Sequence, residues 1–290
     1  MDKKLHIVVC LKQVPDSAQI RVHPVTNTIM RQGVPSVINP YDLFALEEAL
    51  RLRDKVGAAD VTVLTMGPPM AEDSLRKALA YGADRAVLLT DRQFAGSDTL
   101  ATTYALSSAI RKIGETWGAP HVVFTGKQTI DGDTAQVGPG IAKRLNYNAL
   151  TYVSRIASFE AEAGTIMVER RAEGGVQVLT TRLPVLMTML EDTNEMRRGT
   201  MDDALRAAQA EIVMWSAVDA GIPQLTKCGL RGSPTVVKKV FAPTPRAEKA
   251  DQIQVLNRSW SEMAGDLIEA IFARRPVLEV ELLTLTEGKS

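Results

Sequence analysis

One stretch of the sequence concentrates small, polar and acidic residues where a strand-like run meets a helix-like run. Residues 126–139 read GKQTIDGDTAQVGP, after the apolar run HVVFT and before GIAKRLNYNAL. A helix N-terminus offers unpaired backbone N–H groups and the positive end of the helix dipole, and both favour phosphate binding. The stretch therefore indicates a phosphate site. The competing interpretation is a capped helix that binds nothing.

Each residue type in this loop has an expected task. We expect Gly132 to adopt a positive φ and to bring the backbone close to a ligand. Residues 134–137 are expected to supply the N–H groups of the first helical turn. Carboxylates that faced a phosphate would repel it, so we expect Asp133 to cap the helix. Asp131 is expected either to close the loop with a fold-back hydrogen bond or to bind a ribose.

Three more loops follow strand-like or turn-like runs and carry residues that stop or bend the chain. Asn39-Pro40 turns the chain before a helix, and Tyr41-Asp42 could contact a purine through backbone groups. Glycine and prolines stiffen MGPP (66–69), and AGSDT (95–99) ends in Asp98, a natural N-cap. Any one of these loops could be a simple connection, but together they favour a nucleotide site.

The order of apolar and amphipathic runs predicts the fold. Strand-like and helix-like runs alternate through the first half of the chain, at 5–12, 42–57, 61–67, 70–82, 85–90, 98–114 and 121–126. This alternation predicts a Rossmann-like, doubly wound α/β fold with a mostly parallel sheet. In such sheets ligands bind at the carboxyl ends of the strands, where the strand order reverses. The four loops are therefore expected to share one sheet edge.

The second half of the chain has a different pattern. Short strand-like runs around Gly174-Gly175 predict a β-hairpin extension. A glycine- and proline-rich arm at 226–246 and an amphipathic helix near 257–273 follow. We therefore expect a nucleotide-binding domain over 1–225 and a C-terminal arm and helix over 226–290.

Composition excludes several classes of protein. The 290 residues hold 34 Lys+Arg and 34 Asp+Glu, so no basic excess points to nucleic acid. No apolar run reaches the roughly 18 to 20 residues that span a bilayer, so we expect no membrane insertion. Two cysteines and three histidines lack metal or redox spacing, which suits a cytoplasmic protein without a metal site. His6 and His121 lie in strand-like runs and are expected to be structural.

Motifs of cofactor enzymes are also missing. Neither GxGxxG nor GxxxxGK[ST] occurs, so the dinucleotide fingerprint and the P-loop are absent. The sequence contains no evident nucleophile–base pair. We therefore expect no catalytic side chain.

Five stretches together resemble the β subunit of electron transfer flavoprotein. They are VVCLKQVPD, INPYDLFALEEALRL, KALAYGADRAVLL, GKQTIDGDTAQVG and VERRAEGGVQVLTTRLPVLMT, and they extend over most of the chain. The last stretch is similar to the family signature in the spacing of Arg170, Glu173, Gly174-Gly175, Gln177 and Pro184.

The resemblance implies a heterodimer with an α subunit that holds one FAD. It also implies a nucleotide in the β subunit, which is AMP in ordinary members. In electron-bifurcating members it is a second FAD that receives hydride from NADH. The forms IDGDTAQVGP, NPY and GLRGSPT look like the bifurcating group, so we expect FAD, with AMP as the alternative. A stand-alone nucleotide sensor is a remote alternative.

The resemblance also implies site residues and a docking segment. Residues 191–203, EDTNEMRRGTMDD, would be the recognition loop for a partner acyl-CoA or hydroxyacid dehydrogenase, with Met201 at the tip. The cofactor-binding residues are expected to be Cys10, Asn39, Pro40, Tyr41, Asp42, Met66, Gly67, Pro68, Asp98, Thr99, Gly126, Lys127, Gln128, Thr129, Ile130, Asp131, Gly132, Asp133, Thr134, Ala135, Gln136 and Val137.

Overall fold

The chain falls into two compact units. The structure, a computed structural model, describes residues 4–16, 21–22, 29–30, 35–236, 258–278 and 280. Chain contacts divide it into residues 1–242 and 243–290. His23 and residues 237–246 of the predicted arm lie outside the described residues. A partner-binding role for residues 226–290 stays a prediction.

The first unit is built on a nine-stranded sheet. Its strands are β1 (Leu5–Cys10), β6 (Ala59–Met66), β7 (Arg85–Leu89), β8 (Val122–Gly126), β9 (Asn148–Glu160), β10 (Thr165–Ala172), β11 (Gly175–Arg182), β12 (Val185–Met189) and β13 (Ile212–Trp215). The order across the sheet is β11-β10-β9-β12-β8-β1-β6-β7-β13. The strands from β9 to β13 in this order are parallel, whereas β10 and β11 pair antiparallel at one edge.

Two short antiparallel pairs lie outside this sheet. They are β2 (Gln13–Pro15) with β5 (Ser36–Ile38), and β3 (Arg21–Val22) with β4 (Ile29–Met30). The predicted hairpin at Gly174-Gly175 is confirmed by the antiparallel register of β10 and β11. The strands β9 and β13 were not predicted.

Among the described residues, five α-helices belong to the first unit and one belongs to the second. They are α1 (Pro40–Val56), α2 (Glu72–Ala80), α3 (Thr99–Trp117), α4 (Val137–Leu145), α5 (Met201–Gln209) and α6 (Trp260–Arg274). Local sequence explains their ends. Pro40 occupies the first position of α1, and Gly57 stops it at a φ of 76°. Asp98 caps α3 by accepting the Ala101 N–H at 3.0 Å, as predicted.

Helices cover both faces of the sheet. Leu46 of α1, Leu75 of α2 and Ala207 of α5 belong to one buried core, and Ile110 of α3 and Ile141 of α4 belong to the other. The chain runs from β1 outward to β6 and β7, and then returns to β8 on the other side of β1. This arrangement confirms the doubly wound α/β fold, and it puts the reversal of strand order between β1 and β8.

A buried ion pair fixes the segment after β12 to α1. The Glu47 side chain is 4% exposed, and its carboxylate accepts the Arg197 N–H at 3.1 Å and Arg197 Nε at 2.9 Å. Arg51 contacts the same carboxylate from the solvent side. Burial opposes ionisation, but the hydrogen bonds from Arg197 and Arg51 outweigh it and hold the pKa of Glu47 below its ordinary value of 4.5.

Removal of Arg197 is expected to destabilise the fold. In Arg197→Met the free energy of unfolding should fall by about 3 kcal/mol, because the buried Glu47 loses its main partner. The half-exposed Arg51 provides the control, and Arg51→Met should cost less than about 1 kcal/mol. Urea unfolding of the three proteins at pH 7 measures both differences. Equal losses for the two variants would contradict this account.

The same pair sets a pH dependence. Because the folded-state pKa of Glu47 is lowered, its stabilising contribution is present above pH 4.5, and it is lost as the pH falls through the folded-state pKa. The stability gap between wild type and Arg197→Met should therefore narrow in acid. A stability difference between the two proteins that widens below pH 4.5 would contradict the lowered pKa of Glu47.

Candidate nucleotide-binding site

The structure brings two of the predicted loops together where the strand order reverses. β1 ends at Cys10 and β8 ends at Gly126, and these strands are neighbours in the sheet. Lys12 Nζ, just after β1, lies 2.8 Å from Asp131 Oδ1 in the loop after β8. The N-terminus of α1 contacts both loops. The candidate site is therefore at the switch point of the sheet.

Asn39 holds the start of the loop after β8. Its side chain is fully buried. Nδ2 donates to the Gln128 carbonyl at 2.9 Å, and Oδ1 accepts the Ile130 N–H at 3.2 Å. Its own N–H donates to the Lys12 carbonyl at 2.8 Å. Asn39 thus satisfies backbone groups of two loops, one through its side-chain amide and the other through its main-chain N–H, and it fixes their separation.

Asp42 fixes the strand ends beside Asn39. Oδ2 accepts the Lys12 N–H at 2.7 Å, and Oδ1 accepts the Gly126 N–H at 3.1 Å. Burial raises the pKa of Asp42 to about 7, although hydrogen bonds from Lys12, Asn39 and Gly126 act in the opposite direction. The sequence suggested that Asp42 could contact a purine through its backbone. Its buried side chain has a structural role, because it joins the two strand ends.

Gly126 allows α1 to approach the end of β8. A Cβ atom on Gly126 would lie 2.6 Å from Asp42 Oδ1 and 2.6 Å from Tyr41 Cβ. Such distances are far below van der Waals contact, so a side chain here would force the helix away from the strand. The glycine is required for packing of the frame around the loop.

The conformation of the loop differs from the expectation at two residues. Gly132 does not adopt a positive φ, whereas Asp133 (52°) and Ala135 (54°) do. Asp133 does not cap α4, because the helix begins only at Val137 and Gln136 occupies the N-cap position. Instead, the Asp133 carboxylate accepts Gln128 Nε2 at 2.8 Å. Asp133 therefore closes the loop, which is one of the two tasks that the sequence offered for Asp131.

Asp131 forms an ion pair across the site. Both of its oxygens accept from Lys12 Nζ, at 2.8 and 2.9 Å. Burial opposes ionisation, but the hydrogen bond and charge of Lys12 hold the pKa of Asp131 below its ordinary value. This pair removes the repulsion that a free carboxylate would exert on an anion. Lys12 was missed in the sequence, although it directly follows a strand end.

The N-terminus of α4 is free of side-chain caps. Gln136 makes no capping hydrogen bond, and Pro139 in the first turn has no N–H. Val137 and Gly138 therefore carry first-turn N–H groups, while residues 134–136 precede the helix, contrary to the prediction. A Cβ on Gly138 would lie 2.6 Å from Thr188 Cγ2, so the helix end is packed tightly on the sheet edge.

Of the two residues predicted in the loop after β7, Asp98 and Thr99, only Thr99 contacts the candidate site. Thr99 Oγ1 donates to Gln136 Oε1 at 2.8 Å, next to α4. The Asp98 carboxylate turns away and accepts the Thr235 N–H at 3.1 Å and Thr235 Oγ1 at 2.8 Å. Thr99 is thus part of the site frame, whereas the side chain of Asp98 anchors the segment that leads to residue 236.

The remaining predicted residues line the sheet edge without a polar contact to the loop. Cys10 is buried, and burial raises the pKa of its thiol to about 12, with the Asp42 charge adding to the shift. The thiol is therefore protonated at neutral pH. Met66 ends β6, one strand beyond β1, and Gly67 and Pro68 follow it; all three are partly or fully exposed. They flank the site rather than build its frame.

The histidine in β1 has a structural role. His6 is buried, with Nδ1 2.7 Å from the Gly118 carbonyl oxygen and Nε2 3.0 Å from Thr62 Oγ1, which confirms its core role. Among the described residues, no group of three His, Cys, Asp or Glu side chains is arranged to hold a metal ion. Within the same residues, no helix is long and apolar enough to cross a membrane.

A groove on the surface lies away from this site. It encloses about 530 Å³ between α2 and α5, and its walls include Met70, Asp73, Lys77, Ala204 and Ala207. None of residues 126–137 lines it. The switch-point loops, whose backbone is fixed by buried polar groups, are therefore the candidate site.

The raised pKa of Asp42 is expected to be measurable. Carbon-13 NMR of Asp42 in the intact protein should show a titration midpoint near pH 7 rather than near 3.8. Because the pKa of Asp42 is higher in the folded state than in the unfolded state, its protonated carboxyl stabilises the fold. This contribution to the free energy of unfolding is complete below pH 3.8 and is lost as the pH rises through 7, which gives the stability a slope against pH in this range. Asp42→Asn should abolish the signal and this slope. A midpoint near 4 would contradict the assignment.

Comparison with known proteins agrees with the geometry. The electron transfer flavoprotein domain matches residues 26–220. Protein FixA of Azorhizobium caulinodans is 71% identical over 284 residues, covering 98% of this chain and all of that protein. Protein FixA of Azotobacter vinelandii is 63% identical over 278 residues, covering 96% of this chain and 98% of that protein.

More distant relatives carry a subunit name. Electron transfer flavoprotein subunit beta of Clostridium acetobutylicum is 43% identical over 267 residues, covering 92% of this chain and 98% of that protein. The match extends over both the nucleotide-loop region and the β10–β11 hairpin. This chain therefore belongs to the electron transfer flavoprotein family, as a β-type subunit.

Proposed function

We propose that this chain forms a heterodimer with an electron transfer flavoprotein α subunit and passes electrons between flavins and a partner dehydrogenase. The β site holds FAD, which receives electrons from NADH. The partner is an acyl-CoA or hydroxyacid dehydrogenase. AMP in the β site, with the single FAD in the α subunit, is the second candidate.

The uncapped N-terminus of α4 carries the nucleotide assignment. Val137 and Gly138 have no side chain at the N-cap to satisfy their N–H groups, and the positive end of the helix dipole faces the same loop. A phosphate can accept hydrogen bonds from both of these N–H groups. Water alone would leave the helix N-terminus without a specific partner. Lys12 supplies a cation nearby, already balanced by Asp131.

The frame around this helix end supports a pre-formed site. Asn39 and Asp42 are buried, and their side chains make four hydrogen bonds to the backbone, three of them to residues 126–130. One of these bonds runs to Lys12 on the neighbouring loop. A loop fixed in this way loses little conformational freedom when a ligand binds. The residues present therefore fit a nucleotide phosphate.

The choice of FAD over AMP rests on the flanking loops. Both nucleotides share an adenosine phosphate, and only FAD needs room beyond the phosphate for a flavin. Gly67 and Pro68 after β6, and Ala95 and Gly96 after β7, are small and line the same edge. Small side chains there are compatible with a bulky ring system at the edge. AMP also fits at such an edge, and the nucleotide content of the complex distinguishes the two.

The chain itself contributes position rather than acid–base chemistry. A bound flavin supplies the electron chemistry. The Cys10 thiol stays protonated, and Asp42 is committed to two backbone N–H groups. The side chains of the frame therefore orient the nucleotide and limit water at its phosphate.

The recognition loop supports docking of a partner protein. Met201 begins α5 and is 75% exposed, and Leu205, one turn further on, is 57% exposed. Two apolar side chains at i and i+4 form one exposed stripe, which favours insertion into a partner's groove. The unbranched Met side chain can adapt to grooves of different shape.

The last helix argues against a stand-alone sensor. Trp260, Leu267 and Ile271 of α6 are 84%, 51% and 43% exposed. An exposed set of large apolar side chains on one helix marks an interaction surface. A subunit that packs this helix on an α chain explains the exposure, whereas a free-standing nucleotide sensor does not.

The nucleotide content of the purified αβ complex tests the proposal. We expect extraction to release about two FAD per heterodimer, since each subunit holds one flavin. Chromatography with absorbance and mass detection counts them. One FAD with one AMP would establish the second candidate, and no nucleotide beyond one FAD would refute the β site itself.

Docking through Met201 can be tested separately. Met201→Glu should lower the rate of electron exchange with the partner dehydrogenase at limiting concentration by about 30-fold, as loss of a central apolar contact does. Met214→Glu is the matched control, because Met214 is 49% exposed on β13, outside the recognition loop. Nucleotide content should be unchanged in both. Equal rates for the two variants would contradict this role.

A further inference from the structure

The ammonium group of Lys127 faces the recognition loop. Nζ lies 2.7 Å from Glu191 Oε2 and 4.9 Å from the centroid of the Tyr41 ring. The side chain is only 14% exposed. The Lys127 N–H also donates to the Met189 carbonyl at 2.9 Å. The residue that opens the nucleotide loop is therefore tied to the end of β12, where the recognition loop begins.

Glu191 depends on this ion pair. Within the described part of the chain, Oε2 is buried and has no hydrogen-bond donor in good geometry, so the nearby ammonium compensates its charge. Oε1 lies 3.3 Å from Arg171, which is itself largely exposed. The Glu191 side chain is 29% exposed, but displacement of Lys127 removes the cation from its buried Oε2 and leaves only Arg171 on Oε1, which favours a rearrangement of residue 191.

The other anchors of the recognition loop lie on α1. Asn194 Nδ2 donates to the Phe44 carbonyl at 3.0 Å, and Arg197 binds Glu47. The N-terminus of the same helix carries Asn39 and Asp42, which hold the nucleotide loop. One rigid helix thus supports both loops, and Lys127 joins them directly.

We propose that Lys127 is a positioning residue that couples nucleotide occupancy to the order of the recognition loop. The inference rests on the proposed function, since it takes residues 126–137 as the nucleotide loop. A bound nucleotide adds a restraint on residue 127 to those that the frame already supplies, and the Lys127 ammonium then holds Glu191 more firmly. When the nucleotide leaves, the restraint on residue 127 weakens, and residues 191–200 open more often. By linkage, a docked partner strengthens nucleotide binding by the same factor.

Hydrogen–deuterium exchange on the intact αβ complex tests the coupling. The complex is compared with its own nucleotide bound and after the nucleotide is stripped. In the wild type, the nucleotide should slow exchange in peptides spanning 190–200 by about fivefold or more. In Glu191→Gln, nucleotide content should be unchanged, and this difference should shrink to less than about twofold.

A matched variant separates the ion pair from a general change of charge. Glu195 lies in the same loop, is exposed and has no ion pair among the described residues. Glu195→Gln should keep the wild-type difference. Equal exchange with and without nucleotide in the wild type, or a Glu191→Gln protein that behaves as wild type, would overturn the coupling. A β subunit that releases no nucleotide at all overturns the proposed function as well, which distinguishes the two failures.

Discussion

The carboxylate of Asp42, buried between two strand ends, is the constraint on which the site depends. It accepts N–H groups from the loop after β1 and from the end of β8, where the strand order reverses. At such a point the connections from neighbouring parallel strands leave towards opposite faces of the sheet, and a crevice forms between their loops. Asp42 fixes the width of this crevice from the first turn of α1. Gly126 permits the close approach, because a Cβ atom there would collide with Asp42 and Tyr41.

From this frame, separate side chains carry separate tasks. Asn39 holds the backbone of residues 128 and 130, Lys12 and Asp131 balance each other across the loop, and α4 presents an uncapped N-terminus. The opposite flank of α1 binds the recognition loop through Glu47. The position of one helix therefore relates the nucleotide site to the surface proposed for partner docking. An electron carrier needs this relation, since its cofactor must face a docked protein.

The sequence predicted the fold, but it did not predict the local geometry of the candidate site. Apolar alternation and the capping residue Asp98 predicted the doubly wound sheet, since these signals are short-range. The strand β9 was not predicted because its 13 residues mix polar and apolar side chains without a regular alternation. It pairs with a strand on each side, and both pairings contain register shifts. The cap at Asp133 was wrong because Gln128, five residues earlier, binds its carboxylate. Lys12 and Asp131 are 119 residues apart, and no local pattern reveals such a contact.

The central claim is that a nucleotide phosphate binds the backbone at the start of α4. Amide chemical shifts of a nitrogen-15-labelled β subunit, within a nucleotide-stripped αβ complex, test it most directly. Addition of the nucleotide identified by extraction should move the Val137 and Gly138 signals downfield more than any others in the chain. Smaller shifts should follow at Gln128 and Ile130. Shifts that cluster in the groove between α2 and α5, with Val137 and Gly138 unmoved, would contradict the account.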